Sequence, residues 1–158
     1  MGFVYSQARS VIIWLGPAHD GDESGEAMEL LKYIRDRIEF DWETEELLPC
    51  GRCEEQDQHW SSRDWHIPLE DRQLDSIVTL LERPYFRPTW VRQEVAFASY
   101  ADMYCGSQTV QWDTFRNAVA GLFFKLPSIE EVTPLRERNL SSMCSLPHLH
   151  CVYFEQSI

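Results

Sequence analysis

A carboxylate on the apolar face of a helix must find a partner or do chemistry, and residues 89–99 place one there. The run is Thr89-Trp90-Val91-Arg92-Gln93-Glu94-Val95-Ala96-Phe97-Ala98-Ser99, preceded by Arg87-Pro88. At helical period Trp90, Glu94, Ala98 and Ala101 share one stripe, with Val91 and Val95 on one flank and Phe97 on the other. Arg92, Ala96 and Ser99 fall on the opposite side. Burying an ionised carboxylate is costly, so Glu94 is paired, protonated or put to use. A bond to a buried Arg or to backbone amides is the structural reading. A catalytic carboxylate is the functional one.

The second set of reactive residues is cysteine and histidine. Cys50-Gly51-Arg52-Cys53 is a CxxC, with His59 and His66 downstream and Cys144, His148, His150 and Cys151 near the end. Thiolate and imidazole are the usual zinc ligands, but neither group has the spacing of a known finger. A redox reading of the CxxC calls for a strand-to-helix junction, and the sequence gives none before Cys50. The default expectation is an acidic loop with incidental cysteines and no metal. Five cysteines, an odd number, with no basic-then-apolar leader, suggest free thiols in a reducing, cytoplasmic setting.

The elements that must position these residues are readable from apolar patterning. Val11-Ile12-Ile13-Trp14-Leu15 reads as a short, fully buried strand inside a parallel sheet, ended by Gly16-Pro17. Residues 3–9 read as the end of a helix. A helix over about 25–40 carries Met28, Leu31, Ile34 and Ile38, and Leu74, Ile77, Val78 and Leu81 mark another, stopped before Pro84. Residues 41–68 show no periodicity and read as a variable, irregular insertion. Thr89 is the expected N-cap of the Glu94 helix. Met103-Tyr104-Cys105 and Thr109–Trp112 read as strands around a Gly106-Ser107 turn, and Asp113 is expected to cap a helix carrying Phe115, Val119, Leu122 and Leu126. Alternating strands and amphipathic helices give an α/β fold. Residues 1–126 form the domain, and 127–158 read as tail or linker.

Composition excludes some partners. The formal net charge of −12 disfavours a nucleic-acid surface, which needs a basic stripe. The acidic clusters at 20–29 and 39–46 read as solvated surface. No apolar run approaches the roughly 18 residues that span a bilayer.

Three stretches resemble the fungal heterokaryon-incompatibility (HET) domain. Phe3-Val4-Tyr5-Ser6-Gln7-Ala8-Arg9-Ser10-Val11-Ile12-Ile13-Trp14-Leu15-Gly16 is similar to the family's IYxxAxxVxxWLG block. Leu80-Leu81-Glu82-Arg83-Pro84-Tyr85-Phe86-Arg87-Pro88-Thr89-Trp90-Val91-Arg92-Gln93-Glu94 resembles its LxxRPWFxRxWxxQE block, with Tyr85 where Trp is usual. Tyr104-Cys105-Gly106 and Trp112 are similar to its CGxxxxxW ending. The family's opening SYxWG and WIDxxCINQ segments are not present, so the resemblance implies an N-terminally truncated domain.

The resemblance implies a partial flavodoxin/TIR-like parallel sheet flanked by helices. It also implies a role in non-self recognition and regulated cell death, through protein partners or self-association. Trp90-Val91-Arg92-Gln93-Glu94 has the WxxxE spacing of TIR domains that hydrolyse NAD, so Glu94 is the implied catalytic residue and NAD the implied substrate, with no other cofactor. Trp90 is then a pocket wall or core packing. Arg83 and Arg87 either hold diphosphate or pair with Glu94. Because much of the nucleotide pocket would come from the absent segments, the 158-residue chain alone is expected to lack NADase activity. The competing expectation is a non-enzymatic assembly module in which Glu94 is an ion-pair residue.

Overall fold

The computed structural model describes residues 10–18, 23–62, 64–65, 67–86 and 100–125. Strand β1 (Val11–Trp14) runs into a loop, then helix α1 (Ser24–Arg35), and the hairpin strands β2 (Ile38–Asp41) and β3 (Glu46–Pro49). A 3-10 helix (Glu55–Ser61), helix α2 (Asp71–Leu81) and a short 3-10 turn (Pro84–Phe86) follow. Strands β4 (Ala101–Cys105) and β5 (Gln108–Gln111) and helix α3 (Trp112–Lys125) complete the described chain.

The main sheet has the order β1-β4-β5. Strand β1 pairs with β4 in parallel, Ile13 opposite Met103, and β4 pairs with β5 antiparallel, Met103 opposite Val110. The α/β class therefore holds, while the described sheet is mixed rather than parallel. Ile13, Ala101, Met103, Cys105 and Val110 point to one face and are buried. Packed on that core are Ala27, Met28, Leu31 and Ile34 of α1 and Phe115, Ala118, Val119 and Leu122 of α3.

Strand β1 corrects one expectation. Ile13 is buried, but Ile12 is 69% and Trp14 55% exposed. The run Val11-Ile12-Ile13-Trp14 has no polar residues to reveal alternation, yet β1 lies at the end of the described strand order with only one face on the core. Continuous apolarity here does not mean burial on both faces.

Residues 41–68 correct a second. The helix expected over 25–40 stops at Arg35, and Ile38 instead opens the β2–β3 hairpin. The turn forms because Asp41 Oδ1 accepts from the backbone amides of Glu43 at 2.8 Å and Thr44 at 3.3 Å. Those amide bonds, that of Glu43 first, hold the Asp41 carboxyl below its usual range. Glu45 closes the turn in the left-handed region, at φ 56°.

The hairpin packs on α3. A Cβ on Gly121 would lie 2.6 Å from Ile38 Cδ1, so the glycine lets Ile38 seat against the helix without its side chain having to shift. Trp42 Nε1 donates to Asn117 Oδ1 at 3.0 Å, and the Arg116 guanidinium sits 4.7 Å from the Trp42 ring. The 3-10 helix is tied down by Trp60, buried edge-on against Tyr33 of α1 at 5.7 Å. Arg37 stacks on Tyr33 at 3.5 Å and pairs with Asp57 at 3.3 Å.

The remaining helices follow the sequence closely. Helix α2 begins where Glu70 N donates to Gln73 Oε1 at 2.9 Å, one half of a capping box, and buries Leu74, Ile77, Val78 and Leu81 as its periodicity predicts. Helix α3 starts at Trp112, so Asp113 lies in its first turn rather than at the cap, and pairs with Arg116 at 3.3 Å. Leu126 and residues 3–9 fall outside the described residues.

Candidate site at the carboxyl end of the parallel strands

In open α/β sheets the loops beyond the carboxyl ends of parallel strands form the usual ligand crevice. Here that edge is built by the loop after β1 and the turn after β4. Gly16 (φ 104°) and Gly106 (φ 56°) both occupy the left-handed region, where a side chain would be strained. Gly106 N donates to Gly16 O at 3.0 Å, locking the two loops together. A Cβ on Gly106 would come within 2.8 Å of Ala18 Cβ and 3.0 Å of Ala18 N, so the loops are in direct backbone contact.

Arg83 is the charged group at this edge. It follows α2 and reaches back to the end of β1. Its Nη1 donates to Leu15 O at 2.7 Å, and its Nε and Nη2 donate to Ser24 Oγ at 3.2 and 2.9 Å. Pro17 O lies 3.4 Å from Nη1, a marginal contact beside the other two. Ser24 is fully buried at the start of α1, which carries no side-chain cap of its own. One planar guanidinium thus ties β1, the loop, α1 and the end of α2, a geometry suited to Arg and not to Lys. A Cβ on Gly16 would sit 3.2 Å from Arg83 Nη1, so the glycine makes room for the clamp.

Of the residues singled out in the sequence, the structure places Arg83 at this edge. Trp90, Glu94 and Arg87 lie outside the described residues. The segment leading to them leaves from an anchored point: Phe86 stacks on Phe115 of α3 at 5.5 Å with ring planes 6° apart, and Tyr85 meets Phe86 edge-on. Gly16 and Gly106 were read as a strand end and a turn rather than as site residues, and Ser24 was not singled out. Their signal was present in the glycines that end two apolar runs, but Arg83 finds its acceptors on backbone carbonyls, which have no residue type to read.

Cys50 and Cys53 are free thiols at the end of β3, just before the 3-10 helix. They lie in the turn between β3 and the 3-10 helix, which starts only at Glu55, so no α-helix begins at the CxxC. His59 packs edge-on against Trp65 at 4.1 Å, while His66, Cys144, His148, His150 and Cys151 lie outside the described residues. Among the described residues no three His, Cys, Asp or Glu side chains converge as a metal site would require. Nor is any helix among them long and apolar enough to cross a membrane.

Lys125, at the end of α3, is fully buried and donates to the carbonyls of Ser62 and, at 2.9 Å, Trp65. Burial pushes its ammonium below the ordinary lysine value, opposed by the nearby Asp64 carboxylate. It fastens Ser62 and Trp65 to the core helix.

Comparison with known proteins agrees with the motif evidence. No curated protein and no solved structure matches the chain. The family model described as heterokaryon incompatibility protein (HET) matches residues 1–94, from the block before β1 through Arg83 to Glu94, while the Tyr104–Trp112 stretch lies beyond it. The chain belongs to the heterokaryon incompatibility (HET) family.

Proposed function

We propose that this HET-family chain acts, as part of an intact domain, in fungal non-self recognition leading to regulated cell death, and that the intact domain does so by TIR-like hydrolysis of NAD with Glu94 as the catalytic carboxylate. The observation that carries the reading is the clamp of Arg83 on Leu15. It fastens the start of the Arg83–Glu94 block to the carboxyl end of β1, the edge where an α/β sheet takes a ligand. In the proposed reaction the C–N bond from ribose to nicotinamide breaks, the pair leaving with nicotinamide. The ribosyl centre becomes oxocarbenium-like, and the Glu94 carboxylate stabilises it and orients the water that adds to it. The products are ADP-ribose, nicotinamide and a proton. Trp90 is assigned a wall of that pocket. Arg87 is the better candidate for the diphosphate, since the donors of Arg83 serve Leu15 and Ser24.

The test is NAD turnover by the purified full-length gene product, wild type against Glu94→Gln. The reading requires turnover in the first and its loss in the second.

A second reading is a non-enzymatic assembly module with Glu94 as an ion-pair residue. Its specific support is the open face of β1, where Ile12 and Trp14 stand exposed at the end of the described strand order. Exposed apolar side chains on a terminal strand favour contact with another protein or a second copy.

A further inference from the structure

The Cys50-Gly51-Arg52-Cys53 turn takes no part in the functions above, and its geometry suits a reaction of its own. Cys53 N donates to Cys50 O at 2.9 Å, closing a four-residue turn. Such a turn holds its end Cα atoms within about 7 Å, which overlaps the roughly 4.4–6.8 Å span of a disulfide. The two thiols are free and differently placed. Cys53 is half-buried and reachable, whereas Cys50 is buried and its Sγ accepts from Arg35 Nη1 at 3.3 Å. Gly51 and Arg52 between them are exposed, and a Cβ on Gly51 would meet nothing within 4 Å, so the turn has room to adjust.

We propose that Cys50 and Cys53 form a dithiol modification site that reacts with a small-molecule disulfide, of which glutathione disulfide is the probe, and closes to an intramolecular disulfide. Cys53, as thiolate, attacks one sulfur of the oxidant. The oxidant's S–S bond breaks, one glutathione leaves as thiolate and takes a proton from solvent, and Cys53 carries the mixed disulfide. Cys50 releases its proton to solvent and attacks the Cys53 sulfur, expelling the second glutathione. Two protein thiols are oxidised by two electrons and one glutathione disulfide is reduced to two thiols. Arg35 keeps a donor on the Cys50 sulfur, positioning the resolving thiol, and also pairs with Glu39 at 3.3 Å.

The experiment incubates the full chain with glutathione disulfide, blocks remaining thiols with iodoacetamide and cleaves after glutamate. The peptide spanning residues 47–54 then carries both cysteines. In wild type it is expected without carbamidomethyl groups and lighter by two hydrogens than its reduced form. Cys50→Ser should accumulate a glutathione adduct on Cys53, while Cys53→Ser should leave Cys50 without one. Arg35→Met should slow closure of the mixed disulfide several-fold with adduct formation unchanged. Alkylation of both cysteines in treated wild-type protein, or a bridge from either to Cys105, Cys144 or Cys151, overturns the proposal. The wild-type map decides this whether or not any variant folds.

Discussion

Arg83 Nη1 lies 2.7 Å from the carbonyl oxygen of Leu15, a residue 68 positions earlier in the chain. With Ser24 Oγ as its other main acceptor, the guanidinium organises the carboxyl end of β1 and the start of α1. Arg83→Met keeps the stem but removes the donors to Leu15 O and Ser24 Oγ. Hydrogen bonds to charged groups contribute about 1.5–3 kcal/mol, so unfolding free energy in urea should fall by about 2–3 kcal/mol. Arg83→Lys, without the fork, should lose about 1–2 kcal/mol. An unchanged urea midpoint in Arg83→Met contradicts the clamp.

Gly106→Ala should be more damaging than a surface glycine change. The left-handed φ costs about 1 kcal/mol for an L side chain, and the new Cβ meets the Ala18 backbone as well as its Cβ. A total loss of about 2–3 kcal/mol is expected. Gly51→Ala, whose Cβ meets nothing, should stay within about 0.5 kcal/mol. Equal effects at the two sites would mean the loops are not packed together.

Lys125 gives a pH-dependent test. Its folded-state pKa lies below the ordinary value of 10.5 that it recovers on unfolding. Between those two values the unfolded chain binds more protons than the folded one, so stability from this site rises with pH across that window and levels off above 10.5. The stability difference between wild type and Lys125→Met should therefore shift in favour of wild type as pH rises toward 10.5, followed by urea unfolding at stepped pH. The chain has two lysines, Lys32 and Lys125, which makes a direct check simple. A lysine-acetylating reagent should modify Lys32 in native protein and reach Lys125 only after unfolding. Equal labelling rates contradict its burial.

The open face of β1 predicts a surface phenotype. Trp14→Ser combined with Ile12→Thr removes the exposed apolar pair while leaving buried Ile13 in place. If that face supports assembly, sedimentation should show weaker self-association or partner binding with little loss of stability. Unaltered association would remove the main support for the assembly reading.

The sequence carried the regular elements well where periodicity was strong. Leu74, Ile77, Val78 and Leu81 marked α2, and glycine marked the turn between β4 and β5. It failed at β2 and β3, whose four-residue strands mix Ile38 and Leu47 with Glu39, Asp41 and Glu46 and show too few repeats to reveal a period. It also failed to distinguish a terminal strand from an inner one, because Ile12 and Trp14 are as apolar as Ile13. At the candidate site the type and place of Arg83 were legible, but its backbone and hydroxyl partners were not. Lys125 was not singled out in the sequence, and only the fold reveals the carbonyls of Ser62 and Trp65 around it.

The most direct test of the functional account is cellular NAD and cell viability on expression of the full-length gene, wild type against Glu94→Gln at matched protein level. The account predicts NAD loss and death with wild type and neither with the variant, whose shape and hydrogen bonding are kept while the charge is gone. Death that persists in Glu94→Gln without NAD loss would contradict it and transfer the function to assembly.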